Sequence, residues 1–176
     1  MPHTLRTERL LLRPPELRDA KVLVQTLSDS RVTAPTKLWP FPISMRFATM
    51  MLGQAQRMVP FADHIFMIFE GSTFAGTIGV HQRRDDVYGV GYMLGSAFWG
   101  RGIATEALRA VCAFGFATCR ANLIVADTFQ SNIASQRVLE KVGMRNIGDI
   151  GPGWSTTLQG SFPRWGYQLQ RTDLRR

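Results

Sequence analysis

The chain has 176 residues, 45% of them apolar and 19% charged, an ordinary globular composition with enough length to bury a core. No run of about 18 apolar residues occurs, and the opening Met1-Pro2-His3-Thr4-Leu5-Arg6 has no apolar segment, so neither a membrane span nor a secretory signal is expected. A formal charge of +8 favours anionic partners, but the basic residues are scattered, with a modest cluster at Arg171, Arg175 and Arg176. No aromatic-interleaved Lys/Arg run tracks a nucleic-acid strand, so nucleic acid is not the expected ligand. Cys112 and Cys119 fall on one predicted helix about 10 Å apart along its axis, too far to bridge, which suits a reduced, cytoplasmic protein.

Residues 7–13 read as a first strand stopped by Pro14-Pro15, and residues 19–27 as a helix with Val22, Leu23 and Thr26/Leu27 at helical spacing. Residues 34–43, with Pro35, Pro40 and Pro42, read as a surface loop. Ser44 is placed to cap a second helix, with Phe47, Met51, Ala55 and Met58 inward. Its methionines 45, 50, 51 and 58 suit core packing better than an acceptor groove. Two strands, residues 64–69 and 74–81, flank the turn Glu70-Gly71-Ser72-Thr73 and form a meander with a third at residues 87–94.

A helix over residues 105–118 presents Leu108, Val111, Cys112 and Gly115 on one face. Residues 123–128 are apolar enough for a central strand buried on both faces. Ser131 or Asn132 caps a helix over residues 133–142, with Ala134, Val138 and Val142 on one stripe, Leu139 beside it, and Gly143 as the left-handed residue after it. Residues 144–148, a loop at Gly151-Pro152-Gly153 and a closing strand at residues 164–170 complete the chain. The expected fold is one α/β domain over residues 1–176: a mixed, mostly antiparallel seven-stranded sheet with about four helices.

The segment from Val87 to Ala107 reads as strand, small-residue loop and helix start. Gly100 and Gly102 let a ligand approach the backbone, the first helical amides are free, and the helix dipole and Arg101 add positive charge. Such a turn suits a phosphate, although a tight connection that binds nothing has the same residues. Neither a G-x-G-x-x-G turn nor a Gly-Lys-Ser/Thr loop is present. His3, His64 and His81 have no metal-ligand spacing and the cysteines are not paired with them, so no metal is expected; no Gly-x-Ser-x-Gly elbow occurs either.

Gly91-Tyr92-Met93-Leu94 followed by Trp99-Gly100-Arg101-Gly102-Ile103-Ala104-Thr105-Glu106-Ala107 resembles the coenzyme A segment of the GNAT acetyltransferases, closest to the RimJ/RimL-type branch. Gly102 and Ala104 match the superfamily pattern Gln/Arg-x-x-Gly-x-Gly/Ala, while Trp99 stands in the Gln/Arg place. Asn132-Ile133-Ala134-Ser135-Gln136-Arg137-Val138-Leu139-Glu140-Lys141-Val142-Gly143-Met144 is similar to that branch's Asn-x-x-Ser-x-x-x-Leu-Glu-Lys-x-Gly-Phe motif. With gaps, the resemblance runs from Thr7 to about Leu169.

The resemblance implies acetyl-CoA as cosubstrate and a primary amine as acceptor, joined by direct attack without an acyl-enzyme. It implies that the Val87 and Leu123 strands splay to admit the pantetheine arm, with backbone groups of Tyr92, Met93 and Leu94 pairing with it. The turn from Trp99 to Thr105 (Trp99, Gly100, Arg101, Gly102, Ile103, Ala104, Thr105) takes the pyrophosphate, Asn132 contacts pantetheine, and Ser135 lies near the thiol. Leu139 occupies the place where many relatives carry a Tyr acid, which makes Ser135 the candidate acid. The place where many relatives carry a Glu base is Gly89, so the base stays open among His81, Asp127, Glu70 and an ordered water. Of these His81 is attractive because an unperturbed imidazole titrates nearest neutrality, at about 6.5. Gly89 also leaves open a non-catalytic module that senses coenzyme A or contacts RNA. The acceptor (protein N-terminus, amino acid, polyamine or drug-like amine) and the choice of monomer or homodimer are not readable from these residues.

Overall fold

Phe66 and Ile68 on one face of a strand and Met67 on the other are all buried, which demands helices on both sides of the sheet. The computed structural model describes residues 3–57 and 63–174. In chain order these form β1 (Leu5–Arg6), β2 (Leu10–Arg13), α1 (Ala20–Leu27), α2 (Ser30–Thr33), α3 (Met45–Arg57), β3 (Asp63–Glu70), β4 (Thr73–Arg84) and β5 (Val87–Leu94). Then follow α4 (Ile103–Ala117), β6 (Leu123–Phe129), α5 (Ile133–Val142), β7 (Arg145–Ser155) and β8 (Gly160–Gln170).

The eight strands form one sheet in the order β1-β2-β3-β4-β5-β6-β8-β7. Among the described residues β5–β6 is the parallel pair, and all other neighbours are antiparallel. The eighth strand and a fifth helix come from two places. The strand expected over residues 7–13 holds only β2, its first three residues being the turn that leads back to β1 outside the expected bounds, and Ser30–Thr33 closes one short turn capped by Asp29.

Helix α4 presents Leu108, Val111, Cys112 and Gly115 to the sheet, all buried as their spacing predicts. It packs with Leu139 and Val142 of α5 over Ile78, Val80, Tyr88 and Ile124. The opposite face carries α1, through Leu23 and Leu27, and α3, through Ala48 and Leu52, over Met67, Phe74 and Met93. Ser44 caps α3 through its hydroxyl, 3.1 Å from the Phe47 amide. The α3 stripe is centred on Ala48 and Leu52, however, with Phe47, Met51 and Ala55 at its flanks. Met58 lies outside the described residues.

Three expectations change. In α5 the inward stripe is Ser135, Leu139 and Val142 with Val138 beside it, and Ala134 is exposed; this rotation turns Ser135 toward the sheet. Gly151-Pro152-Gly153 is not a loop but lies inside β7, whose pairing with β8 shifts register at Asn146/Gly148 and again at Asp149/Pro152. Gly89 and Gly91 inside a strand suggest a bulge or a close backbone approach; β5 carries no bulge, for its pairing with β4 is continuous from Gly76↔Leu94 to Gln82↔Tyr88, and the irregularity falls on β4 at Arg83.

Candidate active site

The central feature is the parting of β5 and β6. They pair at Val87↔Leu123, Tyr88↔Ile124 and Gly89↔Val125 and no further, so residues 90–94 present an unpaired edge across from residues 126–129. On its other side β5 is fully paired. The Gly95 amide donates to the Ala75 carbonyl at 2.9 Å, which sets the alternation of the antiparallel ladder. Met93 and Gly91 therefore bond toward β4, whereas Val90, Tyr92 and Leu94 turn their backbone groups to the open edge. The Leu94 carbonyl is already taken by the Trp99 indole N–H at 3.0 Å. Met93 sits instead in the opposite core, its side chain buried with Met67 and Phe74.

At the end of that edge the chain makes a 3-10 turn (Ser96–Phe98), passes half-exposed Trp99, and enters α4. Gly100 and Gly102 have φ of +74° and +78°, a backbone that side chains rarely adopt, so both glycines are demanded by the turn. Among the described residues no side chain caps α4, and its first bonded amide is that of Glu106, to the Gly102 carbonyl at 3.0 Å. The amides of Ile103, Ala104 and Thr105 are thus left without a helical partner at the positive end of the dipole. The side chains of Ile103 and Thr105 are buried, so this turn offers backbone rather than side chains.

Arg101, expected to charge the turn, is directed elsewhere: its guanidinium binds Glu70 at 2.6 Å and lies 5.7 Å from the centre of the Phe98 ring. The cations near the turn are Arg9 from the segment before β2, Arg109 further along α4, and Lys141 of α5. Arg9 pairs with Glu106 at 2.7 Å and donates to the Arg101 carbonyl at 3.0 Å. Together with Arg109 and Lys141 it lines a cavity of about 360 Å³ that Gly102, Thr105 and the carboxylates Glu8 and Glu106 also border. Arg109 donates through Nη2 to the Lys141 carbonyl at 3.1 Å, while its buried Nε has no partner among the described residues. An unsatisfied buried donor beside an uncapped helix start is the environment a phosphate completes, so these residues fit a coenzyme bearing phosphates.

Across the gap, Asn132 caps α5 by accepting from the Ser135 amide at 3.1 Å. Capping therefore belongs to Asn132, and the Ser135 hydroxyl takes no part in it. Its Oγ lies 2.9 Å from the Tyr92 hydroxyl, which also lies 3.3 Å from the Ser135 carbonyl. Burial pushes the Tyr92 pKa up to about 12, so the phenol stays protonated at neutral pH. Leu139, in the position that lacks the Tyr acid, is fully packed in the core.

His81 sits directly opposite Gly89 in the β4–β5 register. Its Nδ1 is 3.1 Å from Oδ1 of Asp63, the residue facing it on β3. Its ring folds over Gly79, where a Cβ would stand 2.6 Å from Nε2; the cross-strand partner of Gly79 is Gly91, beside which nothing stands within 4 Å. Burial lowers the His81 pKa, Asp63 opposes this in part and Arg83 adds to it, leaving the ring below the ordinary value of about 6.5 and neutral at pH 7. The other two carboxylate candidates are engaged. Glu70 holds Arg101, and Asp127 lies between Lys37 at 2.8 Å and Arg164 at 2.9 Å. Burial alone would raise the Asp127 pKa; the two cations outweigh it and hold the carboxylate below its usual value.

Asp63, Arg9 and Arg109 were not singled out in the sequence, and Lys141 appears there only as a motif residue without a role. Asp63, Arg9 and Lys141 reach the site through register or packing between distant segments, and Arg109 through its place further along α4.

A sheet opened at its parallel pair, beside an uncapped helix start, is the architecture of the GNAT acetyltransferases. Residues 9–145 match the acetyltransferase (GNAT) domain, and the chain belongs to that family. An uncharacterized N-acetyltransferase p20 of Bacillus licheniformis is 32% identical over 155 residues, covering 82% of this chain and 84% of the relative. The fold is similar to RimJ of Mycobacterium smegmatis in complex with CoA-disulfide, with TM-score 0.85, 19% identity, and coverage of 99% of this chain and 89% of that one. It is also similar to the Microcin C7 self-immunity acetyltransferase MccE in complex with acetyl-CoA and AMP, with TM-score 0.80, 17% identity and 93% coverage of each chain. No helix among the described residues is long and apolar enough to cross a membrane.

Proposed function

We propose that this protein transfers the acetyl group of acetyl-CoA to a primary amine, with acyl transfer in the gap between β5 and β6. The observation that carries this reading is that gap. It exposes backbone groups of Val90 and Tyr92 alongside the free amides of residues 103–105, with the Ser135 hydroxyl on the far side. Acetyl-CoA, when bound, supplies an acetyl group already activated as a thioester.

The protein's part is placement and proton transfer. The α4 amides and the Arg9, Arg109 and Lys141 cations hold the phosphates. The open-edge amides of β5 bond the pantetheine arm and the acyl oxygen, where developing negative charge is stabilised by fixed dipoles. His81 takes the proton of the acceptor ammonium at Nε2, its Nδ1–H donating to Asp63, which fixes the tautomer. The ring stands on the strand beside Gly89, so a side chain on β4 replaces the carboxylate that relatives carry on β5. As the C–N bond forms and the C–S bond breaks, Ser135 passes its hydroxyl hydrogen to the departing sulfur and regains one from the acylated nitrogen, which sheds its surplus proton to become the amide, so the serine ends as it began. Tyr92 donates to Ser135 Oγ and so leaves that hydrogen free for the sulfur.

The test is thiol release from acetyl-CoA with a panel of amines, for the wild type, His81→Gln and Ser135→Ala. Amine-dependent release that falls at least tenfold in His81→Gln, with melting temperature kept, supports the reading. Coenzyme binding without any amine-dependent release overturns it.

A further inference from the structure

A second cavity, of about 330 Å³, opens on the α1/α3 side of the parting point, and its chemistry bears on the acceptor. Gly89 and Val125, the last paired residues of β5 and β6, form its floor. Its walls carry Lys37, Arg83 and Arg164 against one carboxylate, Asp127, and half-exposed Ile147 and Ile150. Asp127 cannot neutralise three cations.

The cations are positioned rather than adventitious. The proline-rich loop that bears Lys37 is tied to the β7–β8 turn: Ser155 Oγ donates to the Ala34 carbonyl at 2.9 Å, Thr156 Oγ1 to the Lys37 carbonyl at 2.8 Å, and Thr157 Oγ1 to the Trp39 carbonyl at 2.8 Å. Arg164 is braced by the Gly151 and Pro152 carbonyls, both at 3.3 Å. Arg83 projects from the bulge of β4 across Gly89, where a Cβ would collide with its guanidinium. Among the described residues Arg83 has no carboxylate within ion-pair distance. Gly89 therefore has a use: it gives Arg83 its path over the sheet to the place where the strands part.

We infer that this cavity binds the oxyanion of a small primary amine, a carboxylate or a phosphate, so that the acceptor is an amine that carries its own negative charge. The inference rests on the acetyl-transfer reading for the fate of the amine, and on the cavity alone for the anion. Arg83 takes the oxyanion with a guanidinium fork, Lys37 adds charge at the rim, and Ile147 and Ile150 shelter an apolar side chain.

The experiment compares matched amines, leucine with leucinamide and O-phosphoethanolamine with ethanolamine, by acetylated product and by calorimetric binding to the coenzyme A-loaded protein. Wild type is set beside Arg83→Ala and Arg83→Glu, whose exposed side chain makes both variants compatible with folding. Expected is a kcat/KM at least tenfold higher for one charged member than for its neutral partner, although the leucinamide amine is the less basic and more available. Arg83→Glu abolishes that preference through KM for the amine, with KM for acetyl-CoA unchanged. A preference for leucine assigns a carboxylate, and one for O-phosphoethanolamine a phosphate. Equal turnover of charged and neutral amines, or a preference untouched in Arg83→Glu, overturns the inference and leaves acetyl transfer standing. Binding of a charged amine that Arg83→Glu abolishes, with no product from any amine, keeps the anion pocket and overturns acetyl transfer. Neither binding nor product overturns both.

Discussion

The Tyr92 hydroxyl of β5 and Ser135 Oγ of α5 lie 2.9 Å apart, joining the two walls of the gap in which β5 and β6 have separated. Because Asn132 caps α5 by accepting from the Ser135 amide, the Ser135 hydroxyl takes no part in capping. Ser135→Ala is therefore expected to lower kcat at least tenfold, with KM for acetyl-CoA and the melting temperature nearly unchanged. Asn132→Ala should instead cost about 1 kcal/mol of stability. Tyr92→Phe keeps the Ser135 hydroxyl and should lower kcat less than Ser135→Ala. Steady-state kinetics with melting curves on all three variants separate these outcomes; wild-type kcat in Ser135→Ala removes the serine from the chemistry.

The histidines predict a pH dependence of stability. His64 and His81 both have folded pKa values below the ordinary value of about 6.5, chiefly because burial disfavours the cation. Between the folded value and 6.5 the unfolded chain binds more protons, so their contribution is full above pH 6.5 and is lost as the pH falls from there through the folded values. Denaturant melts at pH 7.5 and 5.5 should show lower stability at 5.5, and His81→Gln should reduce the difference. A wild-type midpoint unchanged between the two contradicts the burial argument.

At the helix start, Gly102→Asp introduces a carboxylate at φ +78° where amides await an anion, and its Cβ would stand 3.4 Å from Arg9 Nη2. The new charge both repels phosphate and captures Arg9. Coenzyme A affinity should fall at least tenfold, about 1.4 kcal/mol, measured by calorimetry on protein shown to be folded. Unchanged affinity would remove this turn from the binding site.

Arg101 and Arg109 should behave oppositely. The exposed Arg101–Glu70 pair is of the kind worth ~0.2–1 kcal/mol, and its guanidinium is turned to Glu70. Arg101→Ala should change coenzyme A affinity less than about threefold, against at least tenfold for Arg109→Ala, whose buried Nε lacks a partner among the described residues. The reverse ranking in a binding titration contradicts this assignment.

The elements nearest the gap were legible because each is regular and self-contained. Val87–Leu94 and Ile133–Val142 match their predicted bounds, and the Leu108-Val111-Cys112-Gly115 face of α4 is buried as spaced. β1 was not, because two residues, Leu5 and Arg6, carry no alternation of their own, and the turn after them reads as the start of β2. β7 was hidden by Gly148, Gly151 and Pro152, which announce a turn, while bulges let a twisted edge strand run through them. In the site, Gly100, Gly102, Ser135 and His81 stood out by type and place. Arg83 over Gly89, Asp63 behind His81 and Lys37 beside Asp127 are products of register and loop tethering, which local pattern does not encode.

A crystal structure with coenzyme A bound tests the central claim most directly. The account predicts the pantetheine arm between β5 and β6, bonded to open-edge backbone groups of Val90 and Tyr92, with the thiol beside Ser135 and the phosphates on the amides of residues 103–105. Coenzyme A bound elsewhere, or β5 and β6 paired through Leu94 and Phe129 in its presence, would contradict it.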